Sequence, residues 1–426
     1  MDFPRILSGN WETPDSHRLT VARSRGVYSR LPKALGMAPA DITAVVKDSG
    51  LRGRGGAGFP TGMKWTFVPA LEKRKGKPVY LLCNADESEP GTFKDRYCLW
   101  LDPHLLIEGM IIAARALDVR VGYIYIRGEF RYIARRLDEA LAEAYTAGLL
   151  GKNILGSGTD FDLYVHVGAG AYICGEETAL ISSLEGEKGQ PKLKPPFPAV
   201  EGAWRAPTIV NNVETLAVVP WIIENGAAAY KAIGTEKSPG TKLFSVSGHV
   251  RKPGVYEIPL GLPMTTLINE YAGGLLPGRK LKAVIPGGSS VPVMTPAEVE
   301  LCSMDYESIQ TNAGSYLGSG GMIVMDDTTD LVAALTNLLR FYAHESCGQC
   351  TPCREGCGWM YQILCRVRDG DATAADLVTL RDLADNIHSK TICFFGASAA
   401  MPVQSFLTKF RSEFLDRVQG RGAGAA

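Results

Sequence analysis

The chain has 426 residues, 46% hydrophobic and 21% charged, with 45 basic side chains balanced by 45 acidic ones. That length exceeds what one hydrophobic core usually serves, so about two to four domains are expected. The balanced charge provides no electrostatic footprint for nucleic acid or for a membrane surface, so neither is expected as a direct partner.

The start, Met1-Asp2-Phe3-Pro4, lacks the basic and apolar runs of a secretory leader, and none is expected. Further on, Gly53 to Gly62 holds five glycines in ten residues, with Arg54 inside the run and Lys64 just beyond. Such a loop lets backbone amides face an anion, and the two cations suit a phosphate-bearing cofactor. No strand clearly precedes it, and it fits neither the Walker nor the dinucleotide fingerprint in register, so a flexible surface loop stays open.

From about residue 79 to 184, strand-like and helix-like segments alternate, which predicts an α/β layer with a largely parallel sheet. Val79–Cys83 reads as a buried strand. Asp102-Pro103 supplies a cap and a first-turn proline for a helix through about Leu117. Val121–Arg127 reads as a strand. Phe130, Ile133, Leu137 and Leu141 recur at helical spacing, and Gly148 offers a stop. Phe161–Val167 reads as a further strand, and a helix starts at Cys174 and runs to Leu184. Apolar stretches such as Leu105–Leu117 and Leu216–Ile223 fall short of the ~20 residues that span a bilayer. Any membrane link is therefore expected to run through partners.

Two segments after strands look like binding loops: Asn84 to Gly91, with Asp86, Glu87 and Glu89, and Gly168 to Glu177, with Tyr172, Gly175, Glu176 and Glu177. In open α/β sheets ligands sit at the C-terminal ends of strands, where carboxylates can bind ribose or ribityl hydroxyls. A solvated acidic loop and ordinary helix-terminal charges are the plainer readings.

Residues 185–240 are rich in proline, glycine and lysine and show little periodicity. A second domain, 241–325, is expected to be a small α+β module of β-grasp type. Its strands are Lys242–Ser247, Gly254–Ile258 and Ala283–Pro286, around a helix-like Thr265–Tyr271. From 326 to 426 the pattern turns helical. Leu331, Leu335, Leu338, Leu339 and Tyr342 share a face, and Thr373 with Asp376 forms a capping-box pattern. The tail, Gly420 to Ala426, is expected to be mobile.

Of ten cysteines, six stand singly (Cys83, Cys98, Cys174, Cys302, Cys357, Cys365) and read as small buried apolar residues. The other four, Cys347-x-x-Cys350-x-x-Cys353 and the remote Cys393, have the spacing of a four-cysteine [4Fe–4S] site. Zinc is the alternative, but zinc ribbons favour two separate C-x-x-C pairs. Gly348, Gly356 and Gly396 are expected to admit close backbone approach to the cluster. Cys357 is a weaker candidate ligand than Cys393.

Taken together, Gly53–Trp65, Asn84–Arg96, Gly168–Glu177, Asn211–Thr215 and Ser346–Cys353 with Cys393 resemble the F subunit, the flavoprotein, of NADH-quinone oxidoreductase, respiratory complex I. The resemblance implies a Rossmann-like FMN and NADH domain over 1–240, a β-grasp domain and a C-terminal helical bundle carrying a [4Fe–4S] cluster. It implies FMN phosphate and ring contacts at Gly53, Arg54, Gly55 and Lys64. Ribityl and further ring contacts would fall on Asn84, Asp86, Tyr172, Gly175, Asn211, Asn212 and Thr215. The NADH adenine would lie among Phe59, Phe67 and Phe197. Glu87, Glu89, Glu176, Glu177 and Lys194 would hold the rest of NADH, with Glu89 and Glu177 nearest the chemistry.

The implied partners are two iron–sulfur proteins of the same complex, a thioredoxin-like [2Fe–2S] E subunit together with a G subunit. The implied place is the cytoplasmic peripheral arm of a membrane-bound complex. Diaphorase subunits of NAD-reducing hydrogenases and formate dehydrogenases are the related alternative. They often carry extra terminal modules, and the chain length favours the complex I member.

Overall fold

A computed structural model describes residues 3–419; the tail expected to be mobile lies outside them. The chain divides into two compact units. The first comprises 1–88, 93–244 and 255–262, and the second comprises 89–92, 245–254 and 263–426.

The first unit is built on four parallel strands: β1 (Tyr80–Ala85), β2 (Val121–Ile126), β3 (Asp162–Val167) and β4 (Thr208–Asn212). Their spatial order is β3-β2-β1-β4. The chain steps outward from β1 to β3 and then returns to the other side of β1. That reversal is a topological switch point between β1 and β4, where Asn84 pairs in register with Asn212.

Helices follow the first two strands for the reasons the sequence predicts. Pro103 occupies the first turn of the helix Pro103–Leu117, which is buried along nearly all its length. Asp102 stands at the cap position, but its carboxylate accepts from Asn10 Nδ2 at 2.8 Å instead of capping the helix. The helix Arg131–Thr146 buries a stripe of Ile133, Ala134, Leu137, Ala140, Leu141 and Ala144 and leaves its other face polar.

The region 185–240 departs from expectation. It holds β4 and the helix Val213–Asn225, whose residues Val213–Pro220, Ile222 and Ile223 are buried. An element buried on every side has no polar face, so it shows no periodicity, and Pro220 inside the helix obscures it further. A Cβ at Gly109 would meet Leu216 O at 2.1 Å, so the glycine lets Pro103–Leu117 cross closely over this helix. The predicted helix from Cys174 is two pieces, a 3₁₀ turn Tyr172–Gly175 and the helix Glu177–Leu184.

The next strands are β5 (Thr241–Gly248) and β6 (Gly254–Pro259). Within the first unit, Glu257 of β6 is a buried anchor: it accepts from Ile6 N at 2.9 Å, Ser8 N at 2.8 Å and Thr241 Oγ1 at 2.7 Å.

In the second unit, Ser245–Gly248 of β5 runs parallel to β8 (Gly321–Asp326), and β7 (Leu281–Ile285) pairs antiparallel to β8. Sequence reading missed β8 because its Gly-Met-Ile-Val-Met run is apolar throughout. The expected helix at 265–271 is a short α-turn followed by a π-helix.

The helices Leu331–Glu345, Thr351–Asp369, Ala374–Ile387, Phe395–Lys409 and Arg411–Gln419 complete this unit, and the Thr373–Asp376 capping box forms as predicted. Among the described residues no single helix is long and apolar enough to cross a membrane.

Candidate flavin and iron–sulfur sites

The glycine loop lies between the helices Pro39–Asp48 and Thr61–Thr66, without a preceding strand. Its base is closed by Gly53 N donating to Phe59 O and Thr61 N donating to Leu51 O, both at 2.8 Å. Its tip rests on the switch point. Arg54 N donates to Thr215 Oγ1 at 2.8 Å, and a Cβ at Gly55 would lie 3.1 Å from Asn212 Cβ. A side chain at position 55 would therefore crowd the Asn212 side chain at the end of β4, which would have to shift by a few tenths of an ångström.

The loop therefore meets the start of the helix Val213–Asn225, where Asn212 is the cap and its side chain accepts from Glu214 N. Free amides of a first helical turn favour an anion there. Asn84, at the end of β1, donates to Gly175 O at 2.8 Å and accepts from Asp86 N at 3.1 Å. This ties the 172–175 turn to the same strand end. Asn211 accepts from Trp65 Nε1 at 2.9 Å. Glycine loop, Asn84, Asp86, Gly175, Asn211, Asn212 and Thr215 are thereby brought together. Thr61 Oγ1 is buried with no hydrogen-bond partner, an orphan that a polar ligand would satisfy. The arrangement fits a phosphate-bearing flavin.

The two cations expected at the phosphate have different partners from one another. Arg54 is fully buried, and its Nη2 donates to Tyr230 Oη and Pro239 O, both at 2.8 Å. Lys64 Nζ lies 2.7 Å from Glu177 Oε2 and donates to Val210 O at 3.0 Å. Lys194 Nζ joins this group at 3.0 Å from Glu177 Oε1 and 2.9 Å from Glu176 Oε1. Burial opposes the charge on Glu177, but Lys64 and Lys194 outweigh it and hold its carboxyl below the usual range. The other oxygen of Glu176 caps the helix Glu177–Leu184 by accepting from Thr178 N and Ala179 N.

Phe59 and Phe67 form a ring pair with centroids 6.0 Å apart, and both are exposed, as is Phe197. Exposed aromatic faces suit a flat base. Glu87 turns inward, accepting from Asp95 N at 2.6 Å and Arg96 Nε at 2.7 Å. Burial, then the nearby Asp95, raises its carboxyl to about 7. Glu89 belongs to the second unit and accepts from Ser290 N at 2.8 Å.

In the second unit, Cys347 and Cys350 lie on the turn before the helix Thr351–Asp369, with Cys353 in its first turn and Pro352 beside it. Cys393 precedes the helix Phe395–Lys409. The two segments meet where Ile392 N donates to Cys350 Sγ at 3.3 Å, and Ser346 Oγ lies 3.2 Å from Cys353 Sγ. Four thiols without histidine on two adjoining segments are the donor chemistry of an iron–sulfur cluster, although among the described residues no three such side chains form a group that could hold a metal ion.

Two of the glycines here are also needed for close packing. A Cβ at Gly356 would meet Ile387 Cδ1 at 2.4 Å, and one at Gly396 would meet Thr391 Oγ1 at 2.6 Å. Gly356 admits the helix Ala374–Ile387, and Gly396 admits the loop residue Thr391. Of the six single cysteines five are buried, whereas Cys365 is half-exposed. Cys357 Sγ is 4.0 Å from Cys353 Sγ.

Comparison with known proteins matches three successive stretches of the chain. A family model described as the Nuo51 FMN-binding domain matches residues 46–221, an SLBB domain matches 242–313, and an NADH-ubiquinone oxidoreductase-F iron-sulfur binding region matches 333–417. The F 2 subunit of NADH-quinone oxidoreductase in Rhizobium meliloti is 52% identical over 420 residues, covering 98% of this chain and 99% of its own length. The chain belongs to the family of NADH-quinone oxidoreductase F subunits. The F subunit of Streptomyces coelicolor is also 52% identical, over 98% of this chain and 92% of its own. Among solved structures, an NAD+-reducing [NiFe]-hydrogenase in the H2-reduced state superposes with a TM-score of 0.85 at 37% identity, over 98% of this chain and 67% of its own.

Reading the sequence alone left out Trp65, Lys94, Asp95, Glu214, Tyr230 and Lys242, each hydrogen-bonded to Arg54, Asn211 or Asn212. Lys94, Asp95 and Glu214 sit inside the family-matching stretches. The signal for Glu214 was a lone charge heading a long apolar run.

Proposed function

We infer that this chain is the NADH-oxidising flavoprotein of a multi-subunit respiratory complex. The observation that carries the reading is the switch point itself: glycine loop, Asn84 and Asn211-Asn212 converge where an α/β sheet binds ligands. The chemistry supplied by the bound groups is hydride transfer from NADH to FMN, followed by one-electron passage through the [4Fe–4S] cluster.

The chain's own residues bind and orient. Gly53, Arg54 and Gly55 would present main-chain groups to the FMN phosphate, with Lys64 supplying charge. Asn84, Asp86, Tyr172, Gly175, Asn211, Asn212 and Thr215 would engage the ribityl chain and ring. Phe59, Phe67 and Phe197 would enclose the adenine of NADH. Glu87, Glu89, Glu176, Glu177 and Lys194 would hold its ribose and nicotinamide parts, with Glu89 and Glu177 the candidates for a role in the chemistry. Cys347, Cys350, Cys353 and Cys393 would ligate the cluster.

The proposed layout is a Rossmann-like domain over 1–240, a β-grasp domain over 241–325 and a cluster-bearing helical bundle over 326–426. The E and G subunits would be the neighbours, on the cytoplasmic side of the membrane. A diaphorase role is the second reading, favoured by the likeness to the hydrogenase; the higher identity to quinone-linked relatives weighs against it.

The test is purification with the co-purifying subunits, which should show a flavin spectrum and reduce ferricyanide with NADH. Absence of FMN from the assembled complex would overturn the reading.

A further inference from the structure

The segment 89–92 belongs to the second unit and is bonded within it. Ser289 N donates to Pro90 O at 3.1 Å, and Thr92 Oγ1 lies 2.5 Å from Ser319 Oγ. Gly288 has a φ of +97°, and a Cβ there would meet Glu89 Cγ at 2.5 Å, so the loop 288–290 lies tight against the Glu89 side chain.

That loop grips Glu89 through one carboxylate oxygen. Oε1 accepts from Ser290 N at 2.8 Å and from Ser289 Oγ at 3.3 Å. Ser289 Oγ also lies 2.8 Å from Tyr342 Oη. A serine hydroxyl has one proton and a carboxylate only accepts, so Ser289 donates to Glu89 and Tyr342 donates to Ser289. The three residues form a chain of donors ending on the carboxylate, in which each bond polarises the next.

Ser289 and Tyr342 are fully buried, whereas Glu89 is half-buried and within reach of a ligand. The far end of the chain is anchored. Tyr342 lies on the helix Leu331–Glu345, and its ring stands edge-on to Phe395 with centroids 5.5 Å apart. Burying two hydroxyls carries a cost that phenylalanine and alanine would avoid. Here both hydroxyls are directed to the support of one carboxylate.

Resting on the reading of Glu89 as a residue that holds NADH, we propose that Tyr342 is a positioning residue for NADH binding, acting on the Glu89 carboxylate through the Ser289 hydroxyl. The chain fixes where the carboxylate stands before the dinucleotide arrives, which reduces the ordering that binding requires. An effect of that kind falls on KM and leaves turnover at saturating NADH little changed.

The test uses the intact complex, with NADH and ferricyanide. Tyr342→Phe and Ser289→Ala should each raise KM for NADH about threefold to tenfold, as the loss of one buried neutral hydrogen bond implies. Flavin absorbance should be retained in both. Because the two residues act in series, the double variant should be no worse than Ser289→Ala alone.

An unchanged KM in Tyr342→Phe would overturn the proposal, and so would effects that multiply in the double variant. A fall in turnover at unchanged KM would overturn it too, as would failure of Tyr342→Phe to assemble, since the hydroxyl would then serve the fold. Glu89→Ala separates the inference from its premise. A KM raised by Glu89→Ala but not by Tyr342→Phe sinks the inference alone, whereas a KM unmoved by Glu89→Ala sinks the NADH reading of Glu89 and the inference with it.

Discussion

The main-chain N–H of Ile392 donates to Sγ of Cys350 across 3.3 Å, joining two segments that lie 42 residues apart in sequence. This bond places the segment of Cys393 at the turn carrying Cys347, Cys350 and Cys353. A cysteine that stands alone in the sequence thus lies next in the chain to a residue bonded to the turn of the other three.

Cys393→Ser is expected to abolish the cluster while sparing the flavin. Iron analysis and low-temperature electron paramagnetic resonance of the reduced complex should lose the signal, and the flavin absorbance should remain. A cluster retained in Cys393→Ser but lost in Cys357→Ala would transfer the fourth ligand to Cys357, whose sulfur is 4.0 Å from that of Cys353.

Lys64 bridges Glu177 and the carbonyl of Val210. Lys64→Ala removes a charge-assisted contact and leaves Glu177 with Lys194 alone. FMN should bind at least about tenfold more weakly, since such contacts contribute about 1.5–3 kcal/mol. Flavin fluorescence titration of the deflavinated complex measures this, and unchanged affinity would remove Lys64 from the site.

The carboxyl of Glu87 is raised from 4.5 to about 7 by burial and by Asp95. The folded state therefore binds a proton that the unfolded state releases between those values. Stability from this group is fully present below about pH 4.5 and is lost as pH rises through about 7. Over that window wild type should lose up to about 3 kcal/mol relative to Glu87→Gln, by denaturant midpoints. Parallel pH profiles for the two proteins would refute the assignment.

Several features of the fold were legible because they are local. The helix Arg131–Thr146 shows a clean apolar stripe, Pro103 marks a helix start, and Thr373 with Asp376 makes a capping box. The strand β4 and the helix Val213–Asn225 were not legible, although they complete the switch point. They are wrapped by other elements on all sides, and burial of that kind erases the alternation on which sequence reading depends.

By itself, the sequence determined the cysteine spacing, the glycine loop and the family. Cysteine spacing and glycine content are properties of a few neighbouring residues, and they survive without a fold. Tertiary structure alone decided that Asn84 and Asn212 stand side by side, that Arg54 turns inward to Tyr230, and that Lys94, Glu214 and Lys242 share one buried cluster. Those relations join residues up to 176 positions apart. They exist only because the chain returns to the far side of β1, and a charge shifts its neighbours strongly only once both have left water.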